Sequence, residues 1–137
     1  MNRVDLQGIA EIRIRESSAL LSAGFPDGAY NLAGYAVECA LKACIAKRTR
    51  EHDFPEKGLV INSYTHKLKD LLKLAELKTE LEATMQRDPL MERNWAIVQD
   101  WSEESRYEKK TVKQTESLLK AIEDQQGGLL PWIKLRW

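Results

Sequence analysis

Glu38 and Lys42 stand one helical turn apart, acid before base, in the orientation that favours an ion pair. With Asn31 they make a narrow polar wedge on residues 29–50, a stretch otherwise apolar or small on almost every face. Such a pair reads either as a salt bridge in a solvent seam or as a polar cluster turned toward a ligand or a partner. If truly buried, it would need further hydrogen bonds to offset the desolvation of two charges. His66 opens a third helix and is suited either to act as a neutral base or to orient the preceding loop through a hydrogen bond. Arg106 and Tyr107 sit at a helix junction near Trp101. A planar guanidinium beside aromatic groups binds phosphate or a base, and it equally caps the carbonyls of a preceding helix. Lys109, Lys110 and Lys113 add positive charge there, which Glu103 and Glu104 largely cancel. His52, followed by Asp53, reads as an exposed loop histidine without a role.

The sequence carries no glycine-rich phosphate loop, no zinc pattern of cysteines and histidines and no nucleophile elbow. No metal and no cofactor are therefore expected. Cys39 and Cys44 lie five positions apart in one helix, on different faces, which disfavours a disulfide; they read as small buried thiols in a reducing compartment. Lysine plus arginine balances aspartate plus glutamate at 21 each, so no global field gathers nucleic acid or anionic membrane, although a local basic patch remains open. The N-terminus is broken by charges and lacks an apolar signal core, and no apolar run approaches bilayer length. A soluble cytoplasmic protein with no membrane partner is expected.

The elements that must carry these residues are helices. Residues 29–50 read as the central helix, because a helix apolar nearly all round is packed on several sides. Ahead of it, residues 2–23 form a first helix in which Val4, Ile9, Ile12, Ala19 and Leu20 recur at helical spacings. Gly24 ends that helix, and Asp27 is placed to cap the central one. Pro55 and Gly58 interrupt residues 52–66, the longest loop. Ser63 or Thr65 then caps a third helix with Leu68, Leu71, Leu72 and Ala75 inward, a stripe that Leu77 can extend, and Lys67, Lys69 and Lys73 outward, and residues 79–87 continue as a polar helical segment.

Asp88-Pro89 is a strong helix start, an N-cap residue followed by proline at the first helical position. Residues 90–104 gather Leu90, Met91, Trp95, Ile97, Val98 and Trp101 in one arc with Asn94 among them, and an asparagine there needs a partner. Residues 111–125 form another helix, with Val112, Leu118, Leu119 and Ile122 inward, stopped by Gly127-Gly128. The tail, residues 129–137, is too apolar to be a solvated end and is expected to dock on the core or on a second chain. No strand alternation and no repeat is present. The sum is an all-α, up-and-down bundle of about five helices, with residues 1–137 forming one domain.

The central stretch AGYAVECALKACIA, residues 33–46, resembles the second helix of HEPN domains (higher eukaryotes and prokaryotes nucleotide-binding). The Tyr64-Thr65-His66-Lys67-Leu68 entry to the third helix and the Arg106-Tyr107 pair are also similar to features of that family. The resemblance implies a helical bundle that forms a homodimer, with a polar groove at or near the dimer interface. It also implies relatives that are metal-independent RNases of toxin–antitoxin or phage-defence systems, often paired with a nucleotidyltransferase. Active family RNases carry an arginine followed, after four to six residues, by a histidine. Here Thr111, Val112 and Lys113 stand where the histidine should follow Arg106, and Arg48 and His52 are too closely spaced and follow the wrong helix. Without that imidazole no obvious group moves protons at a ribose hydroxyl near neutral pH.

The expectation is a non-catalytic helical binding protein that engages a nucleotide, RNA or a protein partner through Glu38, Lys42, His66, Arg106 and Tyr107. Two other readings compete with it. One is an RNase toxin with a non-standard site built from Arg106 with Tyr107, or from His66 brought across an interface. The other is a structural subunit whose Trp132 and Trp137 tail docks on another protein, so that truncation after Gly128 leaves the bundle folded.

Overall fold

The computed structural model describes residues 1–51 and 57–137, with the backbone alone for residues 50 and 51. Among these residues there are eight α-helices, α1 (Arg3–Ser22), α2 (Pro26–Glu51), α3 (Lys57–Asn62), α4 (Leu68–Leu74), α5 (Lys78–Arg87), α6 (Pro89–Gln99), α7 (Val112–Glu123) and α8 (Leu129–Lys134), and one 3-10 turn, η1 (Glu103–Tyr107). The all-α bundle stands, but about five helices is an undercount. The extra helices are short pieces without a readable apolar period. Helix α3 lies in what reads as loop and has no fully buried residue, only Leu59 packing partly against the core, and α8 is a short helix cut from the tail. Helices α4 and α5 are separated where Glu76 takes a left-handed backbone, φ 59°, which ends the helix at Leu74. His52 lies outside the described residues.

Helix α2 is the axis of the fold. It packs against α1, α4, α7, α8 and η1. Proline at its first position loses nothing, because that N–H has no partner within the helix, and the fixed φ suits the first turn. Ala33, Ala36, Val37, Ala40, Leu41 and Ala43 are fully buried, which is the outcome expected for a helix with small or apolar residues on nearly every face. Helix α1 begins with a capping box between Asn2 and Asp5 and runs beside α2. Its buried residues are Ala10, Ile14 and Ser17; of the apolar residues that recur at helical spacings, Val4 and Ile12 are exposed. Ser17 is tolerated in the interior because its hydroxyl donates to the Ala29 carbonyl at 2.6 Å.

Several local expectations change. Asp27 lies inside the first turn of α2 and caps nothing there; its carboxylate accepts from the Lys110 backbone N–H at 2.6 Å, pinning the entry to α7. Helix α6 ends at Gln99 rather than near residue 104, and Val112 is exposed. Asp88 does cap α6, accepting from the N–H groups of Leu90 and Met91. Asn94, buried in the middle of α6, donates to the Gly127 carbonyl at 2.8 Å and so joins α6 to the turn before α8. Asn94→Ala is expected to cost about 1–3 kcal/mol, because it leaves a buried carbonyl unpaired. The urea midpoint should fall, and an unchanged midpoint would mean that water serves that carbonyl equally well.

Residues 129–137 fold back on the bundle. Leu129, Leu130, Trp132 and Ile133 are buried in the common core, and Trp137 packs partly against it. The Arg136 guanidinium lies 3.7 Å from the centre of the Trp132 ring and pairs with Glu80 of α5 at 2.7 Å. Both cysteines are free and buried, and desolvation pushes the Cys44 thiol up to about 11. Among the described residues no helix is long and apolar enough to cross a membrane.

Candidate functional site

The polar wedge of α2 is used completely. Glu38 is 2 % exposed, a carboxylate inside the bundle, and its Oε1 accepts two charge-assisted or strongly polar bonds. Lys42 donates from Nζ at 3.0 Å, along the same helix, and His66 donates from Nδ1 at 2.7 Å, from the segment before α4. Asn31, two turns earlier on α2, accepts at 3.4 Å from the hydroxyl of Ser105 in η1. The solvent-seam reading of the Glu38–Lys42 pair therefore gives way to a buried carboxylate held by two more exposed donors, and the extra hydrogen bond required to hold a buried charge is the one from His66.

His66 does not lie in the first turn of a helix. It precedes α4, whose N-cap is Lys67 and lacks a side-chain capping bond; the Thr65 hydroxyl oxygen accepts only from the Lys67 N–H, at 3.2 Å. What orients the ring is Glu38. A carboxylate only accepts, so Nδ1 carries the proton in this pair and Nε2 is turned away from α2. Nε2 faces the Glu103 carboxylate at 3.4 Å, on the rim of a cleft of about 430 Å³ formed where α4, the end of α6 and η1 meet. Lys67, Lys69, Asp70, Gln99 and Ser102 line that cleft with His66. The cleft thus offers ammonium, imidazole, amide, hydroxyl and carboxylate groups within one opening, a set that holds a polar, hydrogen-bonding ligand rather than an apolar one.

Trp101 sets the position of η1. It is buried against α2 at Gly34, where a β-carbon would fall within 2.2 Å of the ring, so only glycine admits the indole there. Its Nε1 is buried and has no hydrogen-bond partner among the described residues. Ser102 caps η1, and Ser105 is buried beneath it.

The structure brings Glu38, Lys42 and His66 into one bonded cluster. It does not bring Arg106 and Tyr107 into that cluster. Those two project from η1, with Tyr107 80 % exposed and the Arg106 guanidinium 5.0 Å from the centre of the Tyr107 ring. Among the described contacts none joins them to Glu38, Lys42 or His66. Arg106 is therefore neither a cap nor a partner of the buried carboxylate; it is an exposed cation on the same turn as Glu103. Glu103 and Gly34 are the residues that sequence reasoning missed. Glu103 reads only as charge cancelling nearby lysines, and no local pattern signals that it meets a histidine thirty-seven positions earlier. Gly34 had one signal, an isolated glycine in a helix otherwise free of breakers.

No cluster of three or more metal-ligating side chains is present among the described residues. Comparison with known proteins matches residues 4–127 to the model of the HEPN domain. Neither the curated proteins nor the solved structures contain a match. The family model covers nearly the whole bundle, α1 through α7 with the polar cluster inside it, and the chain belongs to the HEPN domain family.

Proposed function

We infer that the protein acts by binding, without catalysis, and that the cleft beside His66 receives a nucleotide or a stretch of RNA, in a system of the toxin–antitoxin or defence type. The observation that carries this reading is the buried Glu38, whose one oxygen holds both Lys42 and His66 and so presets an imidazole at the mouth of a polar cleft. Preorganised donors of this kind lower the ordering cost of binding. Lys67 and Lys69 line the cleft as cations suited to phosphate, and Arg106 with Tyr107 offers an exposed stacked pair on η1. Membership in a family often linked to RNA and to toxins favours that ligand class. The Arg-x4-6-His spacing of the active family RNases is missing from the sequence, which favours binding over cleavage. A homodimer, and a nucleotidyltransferase-type partner protein, belong to the same reading.

The test is capture of the protein from its native cell followed by identification of bound RNA or nucleotide, and measurement of affinity for what is found. Glu38→Ala and Arg106→Ala are each expected to weaken that affinity by about tenfold, about 1.4 kcal/mol. Unchanged affinity in both variants would remove the cleft and η1 from the binding surface.

A second reading rests on one distance. The 2.7 Å bond from His66 Nδ1 to a buried carboxylate is the arrangement that orients a general base, and Nε2 meets a substrate once the Glu103 carboxylate, 3.4 Å away, turns aside. An RNase toxin built on His66 would arrest growth when expressed, and His66→Ala would relieve the arrest. Absence of toxicity together with absence of RNA cleavage sinks that version.

A further inference from the structure

Lys42 serves two surfaces. Besides holding Glu38 it lines a second recess, of about 370 Å³, between the start of α1 and the C-terminal half of α2. Leu6, Ile45 and Ala46 supply its apolar lining, Asn2, Thr49 and Ser63 its neutral polar one, and the charged residues in its lining are Arg3 and Lys42, with no acidic side chain among the described ones. Near Ser63 in the chain, Ile61 at the end of α3 and Tyr64 are exposed. Arg3 is held in place by a bond from Nη2 to the Trp137 carbonyl, while its Nε has no partner among the described residues.

An apolar recess whose charged lining, among the described residues, is Arg3 together with the Glu38-paired Lys42 selects a ligand that is apolar at one point and anionic beside it. Nucleic acid supplies the anion but no aliphatic anchor. A protein segment with a leucine-like side chain flanked by aspartate or glutamate supplies both. We propose that this groove docks an acidic amphipathic segment of a partner protein, one apolar side chain entering between Leu6, Ile45 and Ala46 and its carboxylates meeting Arg3 and Lys42. The docking reaches the other site through Lys42. Its ammonium lies 3.0 Å from the Glu38 oxygen that also binds His66, so a partner carboxylate that draws Lys42 outward alters the hold on His66 at the polar cleft. The groove assignment does not depend on what occupies that cleft.

The test uses the full chain and a displayed library of peptides about twelve residues long, a little over three helical turns. Selection is expected to enrich sequences rich in aspartate and glutamate with apolar residues three or four apart. A selected peptide should bind at least about tenfold more weakly to Arg3→Glu and to Leu6→Asp, and more weakly to the wild type as salt rises. It should also shift the His66 ring resonances. Enrichment of neutral or basic peptides, no enrichment, or affinity indifferent to Arg3→Glu overturns the proposal. Should Leu6→Asp fail to fold, Arg3→Glu decides alone. A wild-type dimer that Leu6→Asp converts to a folded monomer would instead give the groove to a second copy of the chain. Unmoved His66 resonances on saturation overturn the coupling through Lys42.

Discussion

Truncation after Gly128 is expected to unfold the protein. The deletion removes Leu129, Leu130, Trp132 and Ile133, all buried in the one core that α2 organises. Large core side chains removed outright cost about 2–5 kcal/mol each. Four of them exceed the total of about 5–15 kcal/mol that holds a domain of this size, or come close to it. The Arg136–Glu80 pair and its stacking on Trp132 go too, although surface pairs of that kind contribute little. Circular dichroism of the truncated chain should show lost helix and no cooperative melting. A truncated chain that still melted cooperatively near the wild-type temperature would mean that the tail is an accessory. The expectation of a folded bundle after such a deletion treated the tail as a hook for another protein, whereas Trp132 and its neighbours are used inside this one.

Gly34→Ala is expected to destabilise the fold, against the usual direction for a helix interior. Alanine in place of glycine gains about 1 kcal/mol from helix propensity alone. Here the added carbon would sit 2.1–2.2 Å from three carbons of the Trp101 ring. The ring is buried and cannot swing clear without leaving the core, and overpacking of this kind costs about 1–3 kcal/mol, occasionally more. The loss therefore outweighs the gain. Displacement of Trp101 also moves η1 and Glu103 with it, so the variant should show a lower melting temperature together with a red-shifted tryptophan emission. A variant that melts at or above the wild-type temperature would show that α2 and Trp101 separate at little cost.

The contrast between these two residues and the central helix explains what could be read from the chain. Helix α2 announces itself through composition, since a long run without proline and with small or apolar residues on all sides has few other fates. Asp88-Pro89 and Asn94 are equally local, one a cap and the other a polar group that must find a partner, and both behave accordingly. Glu38 and Lys42 are one turn apart on one helix, so their pairing follows from spacing. The third member, His66, comes from beyond a loop, and its bond to Glu38 spans 28 positions. No periodicity carries such information. Apolar recurrence alone does not give the inward face of α1: Val4 and Ile12 are apolar but exposed, while Ser17 is buried, its hydroxyl donating to a carbonyl of α2. The short helices α3 and α8 fall below the length at which an apolar period is distinguishable from chance.

The bond from Arg3 to the carbonyl of Trp137 ties together residues 134 positions apart. Helix α2 is translated before its partners α7 and α8. During synthesis its alanines, Val37 and Leu41 thus remain partly uncovered until residues 129–137 have emerged, an interval in which this surface is open to contact with another nascent copy.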